Sequence, residues 1–292
     1  VKVVFFDCGA VPTDGFEGGA LIIQKKLRKL RKTYIQQGSL VTAISNFICT
    51  SQSIMDGANE IPVKTIHLAA DHMDMELWLG LKTTSKSTED SFQHINKLKE
   101  QGKKIILCLG RWEPDCYKNS QAALEFIRKL HKKHSNIVLL VLAEQDDLDV
   151  DEDLKELIIP IGFPDDNELQ NIMKTADLGI SYSLWEGFNL PLAEMQWLGK
   201  PVLTFNVAAH PEVIVHNWFL CADLDEMVDK AYLIMVGQGI DSEHYKEAFK
   251  QFSQYFKWER AIKQFREVIE ELQYSSIRLI IDVTNASRDP AN

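Results

Sequence analysis

Two glutamates, Glu186 and Glu194, stand on either side of a short segment that contains a glycine and a proline. Gly187 permits close backbone approach, and the proline is typical of the first turn of a helix. The backbone N–H groups of Asn189 and Leu190 would then lie unpaired at a helix N-terminus, which favours an anion. Because carboxylates accept hydrogen bonds from hydroxyls, the segment predicts a phosphate-sized site beside a sugar or a ribose. The alternative is that Glu194 only complements the helix dipole and Glu186 is a solvated loop residue.

Two cations form a second candidate group. Arg111 comes directly after the apolar run 104–109 and a glycine, and Lys118 follows across a short loop. A guanidinium and an ammonium that converge on one crevice would suit a pyrophosphate. The alternative is that both residues are ordinary surface cations.

An α/β architecture is needed to position these residues. Short apolar runs alternate with longer helical patterns, and most runs are continuously apolar, which is typical of strands buried on both faces of a parallel sheet. The predicted strands are 3–6, 40–44, 65–68, 104–109, 137–142, 157–161, 178–182 and 201–205. The predicted helices are 19–36, 119–134, 166–176, 190–198 and 223–236. This repetition predicts a doubly wound sheet, which binds ligands outside the carboxyl ends of its strands.

A polar, turn-like stretch after residue 75 interrupts this rhythm and marks a domain boundary. We predict a partial N-terminal α/β domain over 1–75, a linker over 76–102 and a complete Rossmann-like domain over 103–272. Residues 273–292 contain a further apolar run. This run either begins another domain or completes the truncated first sheet, and the sequence favours the first interpretation.

The composition is that of a globular protein, with 45% hydrophobic residues over 292 positions and a net charge of −10. The acidic balance argues against nucleic acid as a partner. The five cysteines show no CxxC spacing, so we expect reduced thiols rather than disulfides or a zinc site. No apolar run approaches the roughly 18–20 residues that span a bilayer, and the start is not a signal peptide. We therefore expect a cytoplasmic protein.

Several segments together resemble the retaining glycosyltransferases of family 4, which have the two-domain GT-B fold. Residues 186–194 resemble the Glu-x7-Glu motif of that family. The other matching segments, in the family's order within 104–270, are 162–169, 175–177, 199–203, 210–213 and 256–260. Residues 44–47 and 65–71 resemble the end of its N-terminal domain more weakly. The resemblance implies a GT-B-like α/β fold, with one complete Rossmann-like doubly wound parallel-sheet domain and a partial second α/β domain.

The resemblance also implies roles for the candidate residues. Arg111 and Lys118 would bind the diphosphate of a sugar nucleotide, together with the amides that open the helix. Glu186 would contact the transferred sugar and stabilise the reacting centre as the catalytic residue, and Glu194 would bind the ribose hydroxyls. The remaining donor-binding positions are Gly187, Phe188, Asn189 and Leu190, with Gly162 and Phe163 near the base. No metal or other cofactor is expected, since the cations and the helix dipole stabilise the leaving diphosphate.

The implied reaction moves a hexose with retention from a nucleotide-diphosphate sugar, such as a UDP- or GDP-hexose, to an acceptor hydroxyl. The expected acceptor is a saccharide or a lipid-linked molecule, in polysaccharide or glycolipid assembly. The family's glycine-rich loop and catalytic histidine have no counterpart here, so we expect the chain to bind nucleotide but to turn over slowly or not at all. The alternative is a noncatalytic, degenerate glycosyltransferase module that acts as a scaffold in a larger synthase. A sugar-nucleotide epimerase of similar fold would require a different acid/base set.

A strongly basic run, Lys25–Lys32, stands out in this acidic chain. Leu27, Leu30 and Tyr34 fall on one helical stripe, so the helix is amphipathic. In the resembled family such a face can contact anionic lipid, which implies peripheral membrane contact through Lys25–Lys32. The alternative is a solvated helix face.

Overall fold

The computed structural model describes residues 2–58, 61–74, 86–272 and 277–281. The strands are β1 (Lys2–Asp7), β2 (Leu40–Ala43), β3 (Val63–Thr65), β4 (Lys104–Arg111), β5 (Ile137–Leu142), β6 (Ile158–Pro160), β7 (Leu178–Ser181), β8 (Val202–Phe205), β9 (Leu220–Cys221) and β10 (Ile277–Ile281). The helices are α1 (Gly18–Gln37), α2 (Asn46–Ile48), α3 (Lys86–Glu100), α4 (Ala122–Lys133), α5 (Asp166–Thr175), α6 (Leu190–Trp197), α7 (His210–Val213), α8 (Leu224–Met235), α9 (Ser242–Tyr255) and α10 (Trp258–Glu271). A short 3-10 turn covers Asp71–Asp74.

The larger sheet is fully parallel, in the order β6-β5-β4-β7-β8-β9. Its two faces are both covered, because the neighbouring residues Ile106 and Leu107 of β4 pack into different apolar clusters. One cluster includes Ile172 of α5, and the other includes Phe126 of α4. Burial on both faces explains the continuously apolar runs from which these strands were predicted.

The strands β4 and β7 are neighbours at the middle of this sheet. The chain leaves them in opposite directions, since β5 and β6 lie on one side and β8 and β9 on the other. Open parallel sheets bind ligands outside the carboxyl ends of strands at such a point. The loops that follow β4 and β7, which contain Lys118 and Glu186, therefore start side by side.

The smaller sheet is also parallel, in the order β10-β1-β2-β3. The strand β10 pairs with β1 and so satisfies the backbone groups of that edge. This pairing corrects the favoured interpretation that residues 273–292 begin a further domain, because their described part belongs to the first sheet. Residues 273–276 and 282–292 lie outside the described residues.

The structure differs from the predicted domain boundaries at both points where the chain passes from one sheet to the other. The linker predicted over 76–102 contains α3, whose Ile95 is buried in the core of the second sheet. Residues 76–85 of that predicted linker lie outside the described residues. Helix α10, predicted within 103–272, packs instead on the first sheet, where Ala261 and Val268 contact the cluster of Val4 and Leu40. Each helix packs where its apolar face is buried, and this is not the domain that its position in the sequence suggested.

The third strand also differs from the prediction. It covers Val63–Thr65, whereas 65–68 was predicted. The backbone carbonyls of His67 and Leu68 accept hydrogen bonds from the Arg260 guanidinium at 2.8 and 3.3 Å. Since those carbonyls are bound to a side chain of α10, the strand ends before them.

Helix α1 carries the basic run Lys25–Lys32 and is largely exposed, including Leu30 and Tyr34 of the predicted stripe. One member of the run turns inward: Arg31 is buried and pairs with Asp7 and Asp56. No helix in the described ranges has the length and apolar character needed to cross a membrane. Membrane contact through this run stays a prediction.

Candidate donor site

The loops after β4 and β7 are joined by hydrogen bonds. The Leu184 N–H donates to the Tyr117 carbonyl at 2.8 Å, and the Asn119 side-chain amide donates to the Tyr182 carbonyl at 3.3 Å. Asn119 has a φ of 52°, a conformation that asparagine tolerates better than most residues. These bonds place Lys118, between Tyr117 and Asn119, against the loop that precedes α6.

Lys118 and Glu186 form an ion pair, with 2.7 Å between Nζ and Oε1. Both side chains are mostly buried, at 17% and 14% exposure. Burial acts to lower the pKa of Lys118, but the nearby charges, chiefly that of Glu186, raise it above its usual value. The site therefore has a permanent positive charge that is already paired with the predicted catalytic carboxylate.

Arg111 lies at the end of β4 and faces Glu113, with 3.5 Å between Nη2 and Oε1. The charge of Glu113 also acts to raise the pKa of Lys118. The two predicted phosphate-binding cations therefore share an acidic neighbour that the sequence did not single out. No spacing rule could have found Glu113, because it acts through the conformation of its loop.

The side chain of Asn189 fixes the backbone before α6 through hydrogen bonds to the protein interior. This residue has a φ of 72°, and its side-chain amide donates to Ser181 Oγ and to His210 Nε2, both at 3.0 Å. His210 is fully buried, which lowers its pKa, and its Nδ1 lies 2.9 Å from the Phe205 carbonyl. A neutral His210 with its proton on Nδ1 satisfies both contacts. Because the Asn189 side chain points into the protein, α6 has no side-chain cap. The Leu190 N–H remains available to an anion, whereas Pro191 has no N–H and the Leu192 N–H donates to the Asn189 carbonyl at 3.1 Å.

Gly187 and Phe188 have packing roles. A Cβ at Gly187 would lie 2.6 Å from the carbonyl oxygen of Cys8, which follows β1 in the first domain. The ring of Phe188 is buried, and its centroid lies 6.2 Å from that of His67 and 6.0 Å from that of Phe256. The close approach predicted for Gly187 is thus to the first domain, and Phe188 is a core residue rather than an exposed ligand contact.

Glu194 faces a different partner from Glu186. Its Oε1 lies 2.8 Å from His72 Nε2, and His72 Nδ1 accepts a hydrogen bond from Trp258 Nε1 at 3.1 Å. These three side chains and Leu190 line a cavity of about 560 Å³ between α5 and α6, which we call the α5–α6 cavity. Its volume is within the range of ligand pockets. The sequence did not assign His72 or Trp258 to the site.

Gly162 and Phe163 follow the edge strand β6. Gly162 has a φ of 62°, a conformation that favours glycine, and Phe163 is exposed at 52%. The resemblance implies a base near these two residues, mostly against their backbone, and this stays a prediction. The structure brings Lys118, Glu186, Asn189 and Leu190 together, and it places Glu194 on the adjoining cavity.

Part of the chain is similar to known proteins. Residues 103–235 match the family described as "Glycosyl transferases group 1". A trehalose synthase from Pyrococcus horikoshii is 25% identical, over 58% of this chain and 44% of that protein. The match therefore spans less than half the length of this curated relative.

Solved structures resemble nearly the whole chain. One is Anabaena HepE in complex with UDP and glucose, with a TM-score of 0.65 and 19% identity over 92% of this chain and 71% of that one. Another is a glycosyltransferase from Rickettsia africae, with a TM-score of 0.61 and 16% identity over 94% of this chain and 78% of that one. These likenesses confirm the predicted α/β, GT-B-like fold.

Proposed function

We propose that this chain, whose residues 103–235 match the group 1 glycosyl transferases, carries the donor site of a hexosyltransferase. The donor would be a nucleotide-diphosphate sugar and the acceptor a hydroxyl of a saccharide or lipid-linked molecule. The observation that carries the proposal is the Lys118–Glu186 pair at the uncapped N-terminus of α6. A cation and the free N–H of Leu190 fit a diphosphate, and a carboxylate fits sugar hydroxyls.

Donor binding would exchange the partner of Lys118. The ammonium would move from Glu186 to the diphosphate. Arg111 would add positive charge there, and the Leu190 N–H would donate a hydrogen bond. Glu186 would then accept hydrogen bonds from the hydroxyls of the sugar. Charge that develops on the leaving diphosphate would be stabilised by groups already in place, so we propose that no metal is required.

The nucleoside would lie toward the α5–α6 cavity. Glu194 faces this cavity and would accept hydrogen bonds from the ribose hydroxyls, and Gly162 and Phe163 would lie near the base. Retention and membership of family 4 are supported by the resemblance of residues 186–194. The Anabaena protein, whose structure contains UDP and glucose, supports a hexose donor. A role in polysaccharide or glycolipid assembly is the setting common in the resembled family.

Calorimetry with UDP-, GDP- and ADP-hexoses tests the donor site. We expect one of them to bind in the presence of EDTA, and Lys118→Ala to weaken that binding by at least about tenfold. Lys129→Ala is the matched control, because Lys129 pairs with Glu125 and Asp225 on the exposed surface of α4 and should not affect binding. If the folded chain binds none of the donors, the donor site is refuted and the scaffold interpretation is favoured. The anomeric configuration of a product, read by NMR, tests retention.

A further inference from the structure

The turn Asp71–Asp74 lies where the chain passes from the first sheet toward the second, and it is bound to both helices of the α5–α6 cavity. From α5, the Gln170 side-chain amide donates to the Met73 carbonyl at 2.9 Å. From α6, Trp197 Nε1 donates to Asp74 Oδ1 at 2.7 Å, and Glu194 pairs with His72. The turn is therefore fixed against the wall that contains the predicted ribose-binding carboxylate.

The start of α10 fixes the same turn from the other side. The Trp258 backbone N–H donates to Asp71 Oδ1 at 2.9 Å, and its indole Nε1–H donates to His72 Nδ1 at 3.1 Å. An indole N–H can only donate, so Nδ1 of His72 must carry a lone pair. The ring proton is then on Nε2, directed at Glu194 Oε1. Trp258 thus sets the tautomer that lets a neutral His72 donate to Glu194.

The hydrogen bond from His72 orients the Glu194 carboxylate and leaves most of its acceptor positions free. A carboxylate has about four lone-pair positions, and His72 engages one of them. Within the described part of the chain, His72 is the side chain that donates to Glu194, whose own side chain is 15% exposed at the α5–α6 cavity. Without this bond the carboxylate could rotate, and part of the binding energy would be lost in ordering it.

We propose that His72 is a positioning residue of the donor site: it holds the Glu194 carboxylate so that its remaining lone pairs accept the two hydroxyls of the donor's ribose. This inference rests on the proposed function, since it requires a sugar nucleotide with a ribose in the α5–α6 cavity. It assigns a role in donor recognition to a residue from the first half of the chain, outside the matched residues 103–235.

The arrangement makes donor binding sensitive to pH. The charged groups that act on His72 are carboxylates: Glu194 from α6, Asp166 from α5 and Asp71 from its own turn, whereas α10 presents the uncharged indole of Trp258. The hydrogen bond to Glu194 raises the pKa of His72, and burial offsets part of that effect. An imidazolium can no longer accept from the indole, and it draws the Glu194 charge to itself. Donor affinity should therefore fall as the pH decreases through the raised pKa of His72.

The test measures dissociation constants for UDP-glucose, GDP-mannose and ADP-glucose between about pH 5 and 8, the range in which histidine titrates. Sugar nucleotides are suitable probes because their esterified diphosphates do not titrate in this range. We expect His72→Ala to weaken binding of the preferred donor about five- to tenfold at neutral pH. His72→Gln keeps an uncharged donor, so it should restore most of the affinity and remove the pH dependence.

Two further variants separate positioning from general packing. In a Glu194→Ala background, His72→Ala should weaken binding by less than about twofold, because the group that it orients is gone. Trp197→Phe removes another bond from α6 to the same turn but keeps the bond between His72 and Glu194. Donor affinity of this variant should therefore keep its dependence on pH. Circular dichroism confirms that each variant is folded.

The outcomes distinguish the two proposals. If the wild-type chain binds no sugar nucleotide, the donor site itself fails, and the role of His72 fails with it. If the wild-type chain binds a donor but His72→Ala binds equally well, the positioning role alone is overturned. The same conclusion follows if His72→Gln keeps the wild-type pH profile. It also follows if the losses of binding free energy from His72→Ala and Glu194→Ala are additive in the double variant.

Discussion

At the scale of single residues, the Lys118–Glu186 pair decides how the proposed site would work. Both side chains are largely removed from water, so each depends on the other for its charge to be tolerated. A diphosphate must compete with Glu186 for Lys118. In the proposed site, the pair would balance the two charges before a donor binds and would make Glu186 available only after the diphosphate has bound.

This competition predicts the behaviour of Glu186→Gln. Lys118 would no longer have a charged partner to leave, so UDP or another nucleoside diphosphate should bind severalfold more tightly. A sugar nucleotide should gain less, because the carboxylate that accepts its hydroxyls is also lost. Calorimetry with the diphosphate and its hexose ester compares the two effects. Weaker binding of the diphosphate would show that Glu186 orders Lys118 rather than competing for it.

Gly187 gives a second prediction at this scale. The Cβ of an alanine would lie 2.6 Å from the Cys8 carbonyl oxygen, a contact that only a backbone shift can relieve. We expect Gly187→Ala to lower the free energy of unfolding by about 1–3 kcal/mol. Gly19→Ala is the matched control, since no atom lies within 4 Å of its added Cβ and α1 should gain stability. Equal free energies for Gly187→Ala and the wild type, from denaturant titration, would contradict the close contact.

Spacing along the sequence could predict contacts between candidate residues that are near in the chain or follow adjacent strands. It predicted that Lys118 and Glu186 lie at one edge of the larger sheet, because the carboxyl ends of parallel strands meet at the same edge. It could not show that Glu113 neighbours both cations or that His72 reaches Glu194. Those contacts depend on loop conformation and on how the two sheets approach each other, and neither property has a periodic signal.

At the scale of secondary-structure elements, the sequence predicted best where strands are buried on both faces. The strand Ile137–Leu142 has the predicted bounds. The strand β9 was not predicted, since two residues carry no pattern. Helix α3 was assigned to a linker because a polar, turn-like stretch interrupts the alternation of strands and helices there, although its Ile95 is fully buried.

The position of α3 predicts the effect of changing Asp177. Its Oδ2 accepts from Lys99 Nζ of α3 at 2.7 Å and from the Ile105 N–H of β4 at 2.8 Å. Asp177→Ala should therefore lower the free energy of unfolding by about 1–3 kcal/mol, since it leaves a backbone N–H without its acceptor. Asp177→Asn keeps an acceptor for Ile105 and should lose less. Denaturant titration of both variants checks this order, and the reverse order would contradict it.

At the scale of the whole molecule, contacts from both halves of the chain connect the two sheets. The Gly187 backbone lies against the loop after β1, and α10 returns from the second half of the chain to pack on the first sheet. Glu212 of α7 adds a polar connection to residues near β2 and β3. The predicted division into domains located the two sheets, but helices α3 and α10 had to be reassigned because each packs across a boundary drawn from composition.

Glu212 makes this connection dependent on pH. Its carboxylate accepts from the N–H groups of Asn46 and Phe47, each at 2.7 Å, and lies 2.7 Å from His67 Nε2. Burial acts to raise the pKa of Glu212, but the hydrogen bonds from His67, Asn46 and Phe47 lower it below its usual value. A carboxyl whose pKa is lowered by folding stabilises the folded state above its unfolded pKa of 4.5, and this contribution is lost as the pH falls through the folded pKa.

The expected consequence is a pH-dependent difference between the wild type and Glu212→Gln. At neutral pH the variant should lose about 1–3 kcal/mol of unfolding free energy, because a buried charged acceptor of backbone N–H groups is replaced by a weaker one. As the pH falls through the lowered pKa of Glu212, the wild-type carboxyl is protonated as well, so the two proteins should converge. Denaturant titrations at a series of pH values measure the difference. Glu243→Gln, on the exposed surface of α9, controls for the loss of one charge. A difference that stays constant as the pH falls would mean that Glu212 contributes by packing and not through its charge.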